Sequence, residues 1–193
     1  MDLDSRFPMK PFSVEEIEQN IGRFAALRGS SDAYVDSRMP GCHRKKFNVI
    51  GMGVTENEAN PDLLPNVATP AKGFNVGMLE CETGNGTAPH AHETEEVFMP
   101  LIGKWRVYWL DDGIERSTLL NEFDVALMPI GCYRWFRYEG KGKGRLLTII
   151  GNPAGHVGYF PEYIEAAEKT GIKRHEDGTI SVDAVPAMWD RRA

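Results

Sequence analysis

The chain has 193 residues, of which 41% are hydrophobic, enough for one domain with a real core and short appended segments. Its formal net charge of −6 argues against a broad basic face for nucleic acid. No apolar stretch has membrane-spanning length and Met1–Arg6 shows no secretory signal pattern, so we expect a cytoplasmic protein that does not bind membranes. The three cysteines, Cys42, Cys81 and Cys132, are odd in number and not closely spaced, so we expect free thiols.

The N-terminal segment carries the start signals of a helix. Ser13 is placed to cap it, and Glu16 completes a capping box. An apolar stripe follows at helical spacing, made of Ile17, Ile21 and Phe24. The sequence Arg28–Ser31 ends the helix. We expect this helix to pack on the outside of the following β-domain or on a partner subunit. The basic run His43–Lys46 is interpreted as a solvated loop.

Short strand patterns occupy the middle of the chain. They lie at residues 47–54, 74–82, 97–99, 105–110, 116–120, 125–128, 133–138 and 145–150. Asp111–Gly113 is a hairpin turn signal between two of them. Many short strands at regular spacing predict an all-β protein, an antiparallel barrel of the jelly-roll type.

After residue 151 the pattern changes from strand to helix. A short helix is predicted over Pro161–Thr170, with proline at its start and Gly171 just past its end. The remaining tail, which includes Pro186 and Trp189, is expected to be an extended arm on the surface. The sequence therefore divides into an N-terminal helix and arm (1–46), a barrel (47–151), and a C-terminal helix and tail (152–193).

The most informative segment contains two imidazoles and a carboxylate at metal-ligand spacing. His90 and His92 are two residues apart, so on an extended strand their side chains point to the same face. Glu96 follows four residues later and can return to that face after a short turn. Two neutral imidazoles and one carboxylate suit one divalent first-row ion, and such a triad leaves positions open for substrate or oxygen.

The spacing around these residues resembles the first motif of the cupin superfamily. It reads Gly84, five residues, His-x-His, three residues, Glu96, six residues and Gly103. The sequence Asp124–Gly131 resembles part of the second cupin motif, "Asp, hydrophobic run, Pro-x-Gly". The resemblance covers about residues 70–150 and implies a cupin-type barrel with the motif residues pointing into its interior.

The chain departs from the second motif at two positions that bear on function. The family's metal-binding histidine falls on Arg134 and its late asparagine on Tyr138. A guanidinium cannot ligate a metal, so Arg134 either pairs with Glu93, Glu95 or Glu96, or clamps a carboxylate or phosphate of the substrate. Tyr138 is a candidate hydrogen-bond donor to substrate. Among the aromatic residues of this segment, we take Phe98 and Phe136 as candidate walls of a pocket.

These observations favour a metal-binding, small-molecule enzyme of dioxygenase type, acting on an acidic and possibly aromatic substrate. The ion is Fe, Zn, Ni or Mn, since all accept these ligands. Two alternatives stay open: a non-catalytic cupin that binds or senses a small molecule, and a metal-dependent lyase, decarboxylase or isomerase. No catalytic acid or base can be named from the sequence. Because cupins are commonly dimers, we expect a homodimer with the N-terminal segment near its interface.

Overall fold

Two antiparallel β-sheets of five strands each face one another and enclose the core. The computed structural model describes residues 10–67 and 69–183, so the predicted arm at Pro186 and Trp189 lies outside the described residues. The first sheet contains, in spatial order, β1 (Lys45–Ile50), β2 (Phe74–Glu82), β9 (Lys143–Gly151), β4 (Glu96–Ile102) and β7 (Ala126–Met128). The second contains β10 (Gly158–Tyr159), β3 (His90–Ala91), β8 (Arg134–Tyr138), β5 (Trp105–Asp111) and β6 (Ile114–Leu120).

Helices and a small hairpin flank this barrel. The helices are α1 (Val14–Glu18) and α2 (Pro161–Glu168), and short 3-10 turns lie at Phe24–Ala26, Val35–Arg38 and Pro61–Leu63. The hairpin consists of β11 (Ile172–Arg174) and β12 (Ile180–Val182). Within the described residues, no helix is both long and apolar enough to cross a membrane. The predicted all-β jelly roll with an N-terminal helix and a C-terminal helical extension is confirmed.

The interior of the barrel has an apolar end and a polar end. The apolar end is a single cluster to which both sheets contribute, namely Leu79, Cys81, Phe98, Trp105, Val107, Leu120, Phe136, Tyr138 and Leu146. Alternate side chains of a strand share one face, so every second side chain of the same strands also points into the barrel at its other end. Buried polar residues gather there, beside the apolar Val54, Ile150 and Val157: Asn75 on β2, Thr148 on β9, Glu96 on β4 and Arg134 on β8. This division places the polar groups together at one end of the barrel.

The N-terminal helix is shorter than the sequence predicts. Ser13 and Glu16 form the expected capping box, but α1 ends at Glu18 and buries none of its residues. The chain then turns toward the barrel, where a Cβ at Gly22 would lie 2.6 Å from Cγ1 of Val49. Close backbone approach to β1 therefore replaces the predicted continuation of the helix. The homodimer and the three-part division of the chain stay predictions.

Two further elements differ from the sequence prediction. β1 begins at Lys45, inside the basic run, and ends at Ile50 because Gly51 adopts a φ of +67°. The hairpin of β11 and β12 was not predicted, although Asp177–Gly178 at its turn is a turn signal. Its Ile172 and Ile180 pack with Val35 and Ala167 into a second buried cluster, which fastens both terminal extensions to each other.

Candidate metal site at the polar end of the barrel

The three residues of the predicted triad meet at the polar end of the barrel. His90 lies on β3 opposite Arg134 of β8, and Glu96 is the first residue of β4. His92 lies in the loop between β3 and β4, close to His90 and Glu96. One potential ligand atom from each of His90, His92 and Glu96 lies within 4.8 Å of the other two. The sequence prediction that the triad shares one face agrees with this geometry.

Hydrogen bonds fix His90 but leave His92 without a partner. Nδ1–H of His90 donates a hydrogen bond to the carbonyl oxygen of Ala88 over 2.8 Å, which leaves the lone pair of Nε2 free. The peptide N–H of Ala88 in turn donates to Asp36 over 2.6 Å, so the peptide itself is held. Neither ring nitrogen of His92 makes a hydrogen bond with a described residue, and its Nδ1 is buried. A bond to a metal would satisfy His92.

Both imidazoles are held in the neutral form that binds metals. Burial, followed by the nearby Arg134 guanidinium, lowers the pKa of His90 well below its usual value. Burial, Arg134 and Lys46 together lower the pKa of His92 to about 2. A protonated imidazole would need to lose its proton before ligation. The site therefore meets one requirement of a metal centre before any ion arrives.

Glu96 is shared between the triad and Arg134. Nη2 of Arg134 donates to Oε2 of Glu96 over 2.7 Å, and the Arg134 side chain is only 1% exposed. The same Oε2 lies 3.7 Å from Nε2 of His92. Within the described part of the chain, no hydrogen bond engages Oε1 of Glu96, so one carboxylate oxygen is available to a cation. Of the partners considered from the sequence, the structure selects Glu96 rather than Glu93 or Glu95.

The donor set and its surroundings fit a divalent ion. Two neutral imidazoles and a carboxylate are ligands that Fe, Zn, Ni and Mn all accept. The orphaned His92 ring and the free Oε1 of Glu96 are the groups that such an ion would engage. Arg134 would then act as an outer partner of Glu96, orienting its carboxylate through the 2.7 Å hydrogen bond.

A small cavity opens beside the triad. Its volume is about 30 Å³, room for a water molecule or a similarly small group. His90, His92 and Glu96 line it together with Lys46 and the Arg44 side chain. The size of the cavity limits what can bind next to the triad without movement of the walls.

The basic run at the start of β1 is not a solvated loop, which corrects the sequence interpretation. His43 and Lys45 are exposed, but Arg44 and Lys46 are each only 5% exposed. The strand alternates sides, so every second basic residue of the run points into the barrel. Arg44 pairs with the buried carboxylate of Asp36 over 2.7 Å. The alternation of inward and outward side chains on β1 extends back through this run, and this period of two in the sequence could have predicted the burial of Arg44 and Lys46.

The remaining predicted substrate-binding residues occupy two environments. Phe136 reaches the cavity wall, where its ring also packs edge-to-face on Phe98 with centroids 5.3 Å apart. Phe98 and Tyr138 lie in the apolar core and do not line the described cavity. The Tyr138 hydroxyl donates to the carbonyl of Lys141 over 3.0 Å, at the opposite end of the barrel interior from the triad. Arg134 lies behind Glu96 and does not line the cavity either.

Comparison by sequence finds no matching protein-family model and no matching curated protein. Comparison by structure finds many similar folds. The polyketide cyclase RemF from Streptomyces resistomycificus matches with a TM-score of 0.53 and 18% identity, covering 76% of this chain and 90% of that one. Rru_A2000 from Rhodospirillum rubrum, described as a cupin-2 domain, matches with a TM-score of 0.52 and 14% identity over 83% of this chain and 88% of that one. An oxalate oxidase matches with a TM-score of 0.51 and 15% identity, covering 83% of this chain and 76% of that one.

These likenesses concern the fold. Two facing antiparallel sheets of five strands, with the His-x-His and Glu residues at one end of the barrel, form the cupin-type jelly roll. The chain has a cupin-type fold, as the resemblance of its first motif implies. Because the similar structures include a cyclase and an oxidase, the fold by itself leaves the reaction open.

Proposed function

We propose that this chain is a metal-dependent enzyme that acts on a small acidic substrate, with dioxygenase chemistry at the His90–His92–Glu96 site. The observation that carries the proposal is the convergence of three ligand atoms within 4.8 Å at the wall of a cavity. A three-residue set of this kind leaves positions for other ligands, which is characteristic of a working site rather than a structural one.

The residues around the triad support a small, acidic substrate. The cavity of about 30 Å³ holds a water-sized group, so its walls would have to move less to admit a small acid than an aromatic one. The buried ammonium group of Lys46 lines the cavity without an ion-pair partner among the described residues, and an anion is the natural complement of such a group. Burial also excludes water, which strengthens every charge interaction inside the cavity.

The protein's contribution to the reaction is binding and orientation. His90, fixed through Ala88, and Glu96, fixed through Arg134, would hold the ion in a set position. A bound redox-active ion such as Fe(II) would supply the oxygen chemistry and act as a Lewis acid and template. Phe136 at the cavity wall would shield the substrate from solvent.

The proposed function predicts oxygen consumption with a small carboxylic acid. The full chain, loaded with Fe(II) under anaerobic conditions, should consume oxygen in proportion to the acid that disappears when air is admitted. A His92→Ala variant, which lacks one ligand, should show neither change. An oxygen electrode together with product analysis would measure both quantities.

Two results would contradict dioxygenase chemistry in different ways. Loss of the acid without oxygen consumption would indicate a lyase, decarboxylase or isomerase. Saturable binding of the acid by the iron-loaded chain, without any turnover, would indicate a binding or sensing protein.

A further inference from the structure

Lys46 places a buried ammonium group in the same cavity as the triad. Its backbone is fixed on both sides, by hydrogen bonds of 2.9 and 3.0 Å with Ser30 and by pairing with Leu79 of β2. Its side chain is directed inward and lines the cavity. Among the ion pairs and hydrogen bonds of the described residues, none involves Nζ of Lys46. A lysine that is 5% exposed ordinarily has such a partner.

The barrel makes room for this ammonium at Gly77. A Cβ at position 77 would overlap Nζ and would also lie 3.1 Å from Cε of Lys46, so any larger residue would displace the end of the lysine. Gly77 pairs with Thr148 of β9, whose hydroxyl-bearing side chain lines the same cavity. The wall around Nζ therefore combines a cation, a hydroxyl group and the space that a glycine leaves.

The two buried arginines at this end of the barrel already have carboxylate partners. Asp36 compensates Arg44, and Glu96 compensates Arg134, each over 2.7 Å. Among the described residues, Lys46 is left as the cation of the cavity wall without a carboxylate in ion-pair contact, although the charge of Glu96 acts on it. Burial lowers its pKa to about 8, which still leaves most of the group protonated at neutral pH. A divalent ion on the triad would add two further positive charges, and buried charge of one sign is costly without a counterion.

We propose that Lys46 is the anion-binding residue of this site, and that it holds the carboxylate of a small substrate beside the His90–His92–Glu96 triad. This inference rests on the proposed function, because it assigns the acidic group of the proposed substrate to a particular side chain. Thr148 supplies a second hydrogen-bond donor in the wall of the same cavity. Arg134, the residue that the sequence suggested for this task, already has Glu96 as its partner.

The test uses acetate as the probe on the full chain, both metal-free and loaded with zinc. Chemical-shift titration should show saturable acetate binding by the wild-type protein. Lys46→Met keeps a side chain of similar length without the charge and should bind acetate about tenfold more weakly or worse, as expected for loss of a charge-assisted hydrogen bond. Its zinc content and melting temperature should not fall, because methionine leaves the triad intact and removes a buried charge.

Two more variants complete the test. Lys45→Met removes the exposed neighbouring charge and should bind acetate as the wild type does. Gly77→Ala retains the lysine but should displace its ammonium, so acetate binding should weaken as in Lys46→Met. Unchanged acetate affinity in Lys46→Met, or no acetate binding by the wild type, would overturn the inference. A wild-type chain that binds acetate but takes up no zinc would instead contradict the proposed function. The role of Lys46 would still be tested, by comparing acetate binding of the metal-free wild type and Lys46→Met.

Discussion

Replacing either His90 or His92 by alanine should abolish stoichiometric metal binding. Each change removes one of three ligands, and the loss of affinity should exceed the roughly 10–100-fold that follows loss of an outer partner. Neither histidine belongs to the apolar core cluster, so the fold of the metal-free chain should persist. Metal analysis after reconstitution and a thermal melt of the metal-free protein would measure the two effects separately.

The matched control for this pair is His175→Ala. His175 is exposed, and among the described residues its hydrogen bonds are those of its backbone with Thr179 and Gly178 of the same hairpin. Its removal should leave the metal content unchanged. Full metal content in both His90→Ala and His92→Ala would mean that the ion binds elsewhere on the chain.

Arg134→Met should destabilise the metal-free protein by about 3–5 kcal/mol, the usual cost of breaking a buried ion pair by removing one partner. The reason is that Glu96, whose side chain is 11% exposed, loses its 2.7 Å hydrogen bond and keeps its charge. A divalent ion would replace the guanidinium as the partner of Glu96. Metal addition should therefore raise the melting temperature of the variant more than that of the wild type.

An exposed ion pair provides the comparison. Arg106 and Glu139 also approach to 2.6 Å, but their side chains are 31% and 36% exposed. Solvent screens such a pair, and Arg106→Met should hardly change the melting temperature. If Arg134→Met were equally harmless and instead weakened only substrate binding, Arg134 would be the substrate clamp rather than the structural partner of Glu96.

The candidate metal ligands could be predicted from the sequence because they are local. His90, His92 and Glu96 lie within one short segment, and strand periodicity alone places the two histidines on one face. For Arg134 the sequence left two alternatives open, an ion pair with one of three glutamates and a clamp on a substrate anion. The choice among them depends on the pairing of β3 with β8 and on the position of β4 in the other sheet, which are set by the tertiary fold.

The burial of Arg44 and Lys46 was not predicted, because the high charge of the basic run indicated a solvated loop more strongly than its strand periodicity indicated burial. Four consecutive basic residues suggest a solvated surface, and His43 and Lys45 are indeed exposed. Arg44 and Lys46 are buried because Asp36 compensates one and Gly77 leaves space for the other. Asp36 and Gly77 lie on other elements and carry no local signal that links them to β1. The same limit applies to the segment after the N-terminal helix, because the approach of Gly22 to Val49 is a tertiary contact.

The most direct test of the metal site is anomalous diffraction at the zinc edge from crystals of the full chain grown with zinc. A peak is expected between His90, His92 and Glu96, at about 2.0–2.2 Å from one nitrogen of each imidazole and one carboxylate oxygen. Absence of anomalous density between these three side chains, in a crystal where zinc binds elsewhere on the protein, would contradict the assignment of the triad as a metal centre.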